Sequence, residues 1–286
     1  MHVTKPPATL LIGPPGSGKT TALTTYIEAG LELFVLITDP GGEEALIDAV
    51  IDKGLPIEKL HWHYIPAVAH SWKNAKSALE AINVRNYESL GSLKQGIDKN
   101  SYKQMLEVVN VLGDFVCQRT GKSYGPVDEW DGTRALAIDS MTGINKMCKR
   151  LTVGAKPTLH QGEWGVAMEA EEQFLDLLVG ATNCFICCTA HVEKTMSETL
   201  SKPILTVSLL GNKLAPKIPA LFSDVVLARK DAAKFFWSTT AVDMDLKGRT
   251  LPLDHSLKPS FTLVREGWSK REEAINAALT TDETEN

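Results

Sequence analysis

The chain has 286 residues, a formal charge of -5 and 23% charged residues, length enough for one large α/β domain with insertions and a substantial core. This mild acidic balance excludes global attraction to nucleic acid, so any such contact has to come from a local basic patch. No apolar run approaches a membrane span, residues 1–10 lack the features of a secretion signal, and the five cysteines read as free thiols; a cytoplasmic protein without membrane contact is expected.

In chain order, "ATLLI" (8–12) reads as a strand, and a helix is expected over 19–29, ending at Gly30. "ELFVLIT" (32–38) is a second strand, and "GGEEALIDAV" reads as a helix start. "HWH" at 61–63 has no further ligand spacing around it, which argues against a structural zinc site. Residues 71–119 hold two helical patterns, "SWKNAKSALEAI" and "SYKQMLEVVNVLGDFVCQ", read as an insertion decorating the core.

"ALAID" (135–139) and "CFICCTA" (184–190) are further strands, separated by a helix over 162–181 whose Trp164, Ala167, Phe174, Leu175 and Leu178 share one side. After residue 203 the runs "ILTVSLLG", "FSDVVLARK", "KFFWSTTAV" and "SFTLVREG" read as strands continuing the sheet as an antiparallel edge. The alternation predicts an α/β fold with a mostly parallel sheet between helices. The core is expected over 1–267, with a C-terminal helix and acidic tail over 268–286.

The stretch from Gly13 to Thr20, "GPPGSGKT", fits the phosphate-binding pattern GxxxxGK[ST] at every fixed position, after a strand and before a helix. Glycines let the backbone curl so that amides point inward; Lys19 reaches the β and γ phosphates of ATP, and Thr20 places its hydroxyl on Mg2+. Pro14 and Pro15 have no amide to give, so the cradle is built from Gly16, Ser17, Gly18, Lys19, Thr20 and Thr21. Asp139, at the end of its apolar strand, supplies the carboxylate for the metal shell beside Thr20. The residue after it is Ser140, not a second acid.

Taken in order, the phosphate loop, Asp139-Ser140, the strand end "TAH" and the Lys-x-Arg pair in "DMDLKGRTLP" resemble the RecA-core ATPases of bacteriophages, in the single-strand annealing and recombination group. The resemblance spans most of residues 8–255 and implies a RecA-like P-loop core. It implies an activating carboxylate at the end of the second strand, where Asp39, Glu43 and Glu44 stand; Asp39 and Glu43 remain the two candidates. It further implies that His191 senses the γ phosphate, and that Lys247 and Arg249 reach the ATP of a neighbouring subunit.

Single-stranded DNA is then expected along the loops after the third and fourth strands, with Lys149, Arg150, Lys156, Lys194 and Lys202 as phosphate contacts. A ring or filament of identical subunits, and a single-strand binding protein as partner, belong to the same implication. Two other readings share the loop. A small-molecule or nucleotide kinase needs clustered lid arginines that this sequence does not offer, and an assembly switch would bind nucleotide with slow turnover and no DNA.

Overall fold

The computed structural model describes residues 4–67, 102–154, 156, 159–196, 203–210, 214, 217–242 and 244–282, with scattered positions between 72 and 89. The first half builds β1 (Ala8–Ile12), α1 (Lys19–Leu23), α2 (Thr25–Glu28), β2 (Glu32–Ile37), α3 (Gly42–Asp52), β3 (Leu60–Tyr64), α4 (Gln104–Gly113) and β4 (Arg134–Asp139). The second half follows with α5 (Met141–Val153), α6 (Gln161–Ala181), β5 (Phe185–Ala190), β6 (Val192–Met196), β7 (Pro203–Val207), α7 (Ile218–Leu221), β8 (Asp224–Asp231), β9 (Lys234–Ser238) and α8 (Phe261–Asp282).

Seven strands form one sheet in the order β3-β2-β4-β5-β1-β8-β9. All neighbours are parallel except β8 and β9. The phosphate-loop strand β1 is thus separated from the Asp139 strand β4 by β5, so three strand ends converge on one place in a mostly parallel α/β core.

The central strands are continuous apolar runs because both faces are covered. Leu10, Ile12, Phe34, Leu36, Leu136 and Ile138 pack with α4, α5 and α6, whereas Leu11, Leu33, Val35, Ile37, Ala135 and Ala137 pack with α1, α2, α3 and α8. Removing such a side chain, as in Leu11→Ala, costs about 2–5 kcal/mol. All five cysteines are free and buried.

The structure corrects several expectations. The helix after the phosphate loop is two short pieces, because Thr24 and Thr25 each donate a hydroxyl to a carbonyl three residues back, Thr21 at 2.8 Å and Ala22 at 2.7 Å. Such bonds compete with the helical ladder. "SFTLVREG" is not a strand but the start of α8, so the boundary drawn at 267 falls inside a helix. Phe261 and Val264 are buried there, and Phe261 stacks on Tyr26 of α2 with centroids 4.0 Å apart.

β8 is parallel to β1, and only β9 turns antiparallel; β6 and β7 form a separate hairpin outside the main sheet. The helix expected over 101–118 stops at Gly113, and the chain then turns back through a bridge between Val116 and Ser123. Met105, Val108, Val111 and Phe115 sit in the core, so this part is integral rather than decorative. The first helix expected in 71–119 lies largely outside the described residues.

Candidate nucleotide-binding site

Local chemistry shapes the phosphate loop first. At Gly13 an added Cβ would lie 2.5 Å from the Ala228 carbonyl oxygen and 2.7 Å from Ser17 Oγ, so only glycine fits between β1 and β8. Its amide donates to the Ala190 carbonyl at 3.1 Å, which fastens the loop to the end of β5. Gly16 and Gly18 have φ of 72° and 81°, a left-handed backbone that glycine adopts at little cost. Gly18 caps α1 without a side-chain hydrogen bond, so the first amides of that helix have no acceptor within it.

Lys19 is buried, and its ammonium donates to the carbonyls of Gly13 at 2.9 Å and Pro14 at 3.0 Å. Burial lowers its pKa, while Asp139 and then Asp39 act in the opposite sense. Thr20 donates its hydroxyl to Asp139 Oδ2 at 2.7 Å, and Thr189 of β5 donates to Asp139 Oδ1. Burial raises the Asp139 pKa and outweighs the hydrogen bonds from Thr189 and Thr20 and the nearby Lys19.

Ser140 follows through a cis peptide bond and donates its hydroxyl to Asp39 Oδ2 at 2.7 Å. The Thr38 hydroxyl bridges both backbone groups of Ser140, accepting from its amide at 2.9 Å and donating to its carbonyl at 2.8 Å. Gly143 makes room for this bridge, since a Cβ there would lie 2.1 Å from Thr38 Oγ1.

A pocket of about 360 Å³ opens here, and its walls include Gly16, Ser17, Gly18, Lys19, Thr20, Thr21, Asp39, Asp139, Ser140, His191 and Phe235. Of the two candidate bases, Asp39 faces this space. Glu43 sits on the first turn of α3 and is not among the lining residues; its Oε2 is buried without a hydrogen-bond partner, and its charge acts on Tyr64, whose phenol is pushed up first by burial and then by Glu43. His191 lines the pocket, and its carbonyl accepts the Ser208 amide at 2.8 Å, closing the β6–β7 hairpin onto the same residue.

The other expected residues lie apart from the pocket. Lys247 bridges to Val225 and donates its ammonium to the Ala220 carbonyl at 3.2 Å; the Arg249 amide donates to Asp224 at 2.7 Å. Both are at the N-terminal end of β8, the opposite end of the sheet from the phosphate loop.

Among the expected DNA contacts, Lys149 lies over the Trp164 ring and Arg150 over the Tyr102 ring, 5.4 and 5.1 Å from the centroids. Lys194 is exposed on β6. Lys156 is a correction: its ammonium is fully buried against both oxygens of Glu163, at 2.8 and 2.9 Å, and is not open to a phosphate. Lys202 lies outside the described residues.

Thr189, Thr38 and Phe235 were not expected at the site. Thr38 and Thr189 put hydroxyls at the ends of apolar runs, the one sign the sequence offers, and nothing in the sequence marks Phe235.

No protein-family model matches this chain, and a search of curated proteins returns no match. Among solved structures, one chain it is similar to is described as a prototypical ATPase from the type III secretion system of pathogenic bacteria. The two are 11% identical, the likeness covers 79% of this chain and 53% of that one, and the TM-score is 0.42. This chain therefore spans about half the length of that ATPase.

Proposed function

We propose that this chain is a magnesium-dependent ATPase of RecA-like build that works on single-stranded DNA in phage recombination or annealing, as a ring or filament of identical subunits. One observation carries the reading: Lys19, Thr20, Asp139 and Asp39, drawn from three separate strand ends, line a single pocket, with Thr20 bonded to Asp139 at 2.7 Å.

Thr20 Oγ1 and the Asp139 carboxylate are facing hard oxygen donors, a set that suits magnesium. Bound there, the ion supplies charge neutralisation for the β and γ phosphates. Lys19 leaves the Gly13 and Pro14 carbonyls for the phosphates, a strong exchange because the site is partly buried.

Asp39, oriented by Ser140, keeps an oxygen to accept a proton from the attacking water. His191 stands between the pocket and the β6–β7 hairpin, so the state of the γ phosphate reaches the segment that carries Lys194. Lys247 and Arg249 serve the nucleotide of a neighbouring copy.

Phosphate release with and without a single-stranded oligonucleotide tests both halves. The expected result is magnesium-dependent turnover that DNA stimulates, abolished in Lys19→Ala. Oligonucleotide binding should weaken with salt and in Lys194→Glu. Turnover in Lys19→Ala at the wild-type rate removes the ATPase assignment, and an absence of oligonucleotide binding at low salt with ATP removes the DNA half.

A further inference from the structure

β8 and β9 are joined by a two-residue turn in which Ala232 has φ of 50°, and the hairpin places Phe235 directly over the phosphate loop. A Cβ built on Gly18 would lie 3.0 Å from Phe235 Cδ1. Lys230, its cross-strand partner, holds its ammonium 5.3 Å from the ring centroid. Even so, Phe235 stays 44% exposed at the mouth of a polar pocket.

Sheet order says which part of a nucleotide reaches this ring. Across the strand ends the sequence is Asp139 on β4, His191 after β5, the phosphate loop after β1, then Phe235 on β9. On the phosphate-binding reading, Thr20 and Asp139 would hold the metal-bearing β and γ phosphates on the β4–β5 side. The phosphates would then lead away from Asp139 toward β8 and β9, with the nucleoside last.

We infer that Phe235 is the stacking platform for the nucleotide base and determines that this site takes a nucleoside triphosphate rather than a bare polyphosphate. The inference rests on the phosphate-binding reading of the same pocket. Base–aromatic stacking needs only a π face, so recognition here is of a base as such. The Lys230 ammonium over the ring adds a cation beside the base and the α phosphate.

The test is calorimetric titration of the intact chain with magnesium ATP and, separately, magnesium tripolyphosphate. Wild type should bind both, ATP more tightly. Phe235→Leu keeps apolar bulk against Gly18 but removes the π face; it should lose about tenfold or more in ATP affinity and nothing in tripolyphosphate affinity. Phe235→Trp should retain ATP affinity and show indole fluorescence quenching with ATP but not with tripolyphosphate. Equal loss for both ligands in Phe235→Leu, or loss for neither, overturns the platform while the phosphate site stands. Failure of wild type to bind either ligand overturns the phosphate site itself, and the platform with it.

Discussion

Three carboxylates stand near the end of β2, and only the shortest, Asp39, lines the pocket at the phosphate loop. Asp39 has one oxygen fixed by the Ser140 hydroxyl at 2.7 Å, which leaves the other free and aimed by a rigid partner. Glu43 is the second residue of α3, outside the pocket walls, and its charge acts on Tyr64. Asp39→Asn is therefore expected to lower kcat by about 10²–10⁴-fold with ATP affinity little changed, while Glu43→Gln stays within a few-fold of wild type. Steady-state hydrolysis paired with a binding titration checks the contrast; an equal fall in both variants would remove Asp39 from the role. At this scale legibility follows chain distance. The phosphate loop could be read because its geometry is set by neighbouring glycines, whereas Thr189 and Phe235 reach it only through strand pairing that no short stretch records.

Elements were legible where one period of apolar residues dominates and ambiguous where two fit. The buried strands β1, β2, β4 and β5 are unbroken apolar runs. By contrast, the "SFTLVREG" segment satisfies both alternation and the helical spacing of Phe261, Val264 and Trp268, and packing of Phe261 on Tyr26 and Trp237 decides for the helix. β3 gave no clear apolar run because Trp62, His63 and Tyr64 are only half-buried, its edge covered by Gln118, whose side chain pairs with the Tyr64 backbone.

α6 was placed to within a residue, yet its apolar stripe hides a charge: Glu171 is completely buried. One oxygen accepts the Leu210 amide at 3.2 Å and the other has no partner, so burial pushes the carboxyl up to about 8. The unfolded chain releases this proton near 4.5, so the folded state binds more protons between there and about 8. Stability from this group falls as pH rises through that window, and the cost is complete above it. Glu171→Gln removes the cost. Its melting temperature should exceed wild type by roughly 3 °C or more at pH 8.5, with a clearly smaller gap at pH 5.5. The same gap at both values would show that the proton is not the cause.

The whole molecule places its chemistry at opposite ends of one sheet. The C-terminal ends of β1, β2, β4 and β5 lead into the phosphate loop, Asp39, Ser140 and His191, whereas Lys247 and Arg249 stand at the N-terminal end of β8. The backbone that carries Arg249 is held firmly, because Asp224 is fully buried and accepts the amides of Arg249 and Thr250 at 2.7 and 2.9 Å and the Thr250 hydroxyl at 2.6 Å. With its backbone held on the far side of the sheet, Arg249 is out of reach of the pocket of its own chain, so any action on nucleotide would require a second copy. That requirement separates an assembled enzyme from an independent one. Lys19→Ala and Arg249→Ala should each be inactive alone, yet a mixture should regain turnover, because some interfaces then combine an intact phosphate loop with an intact arginine. Wild-type activity per subunit should also rise with concentration as interfaces form. A mixture as inactive as its parts, together with a rate per subunit that does not depend on concentration, would return Arg249 to a structural role in the turn built around Asp224.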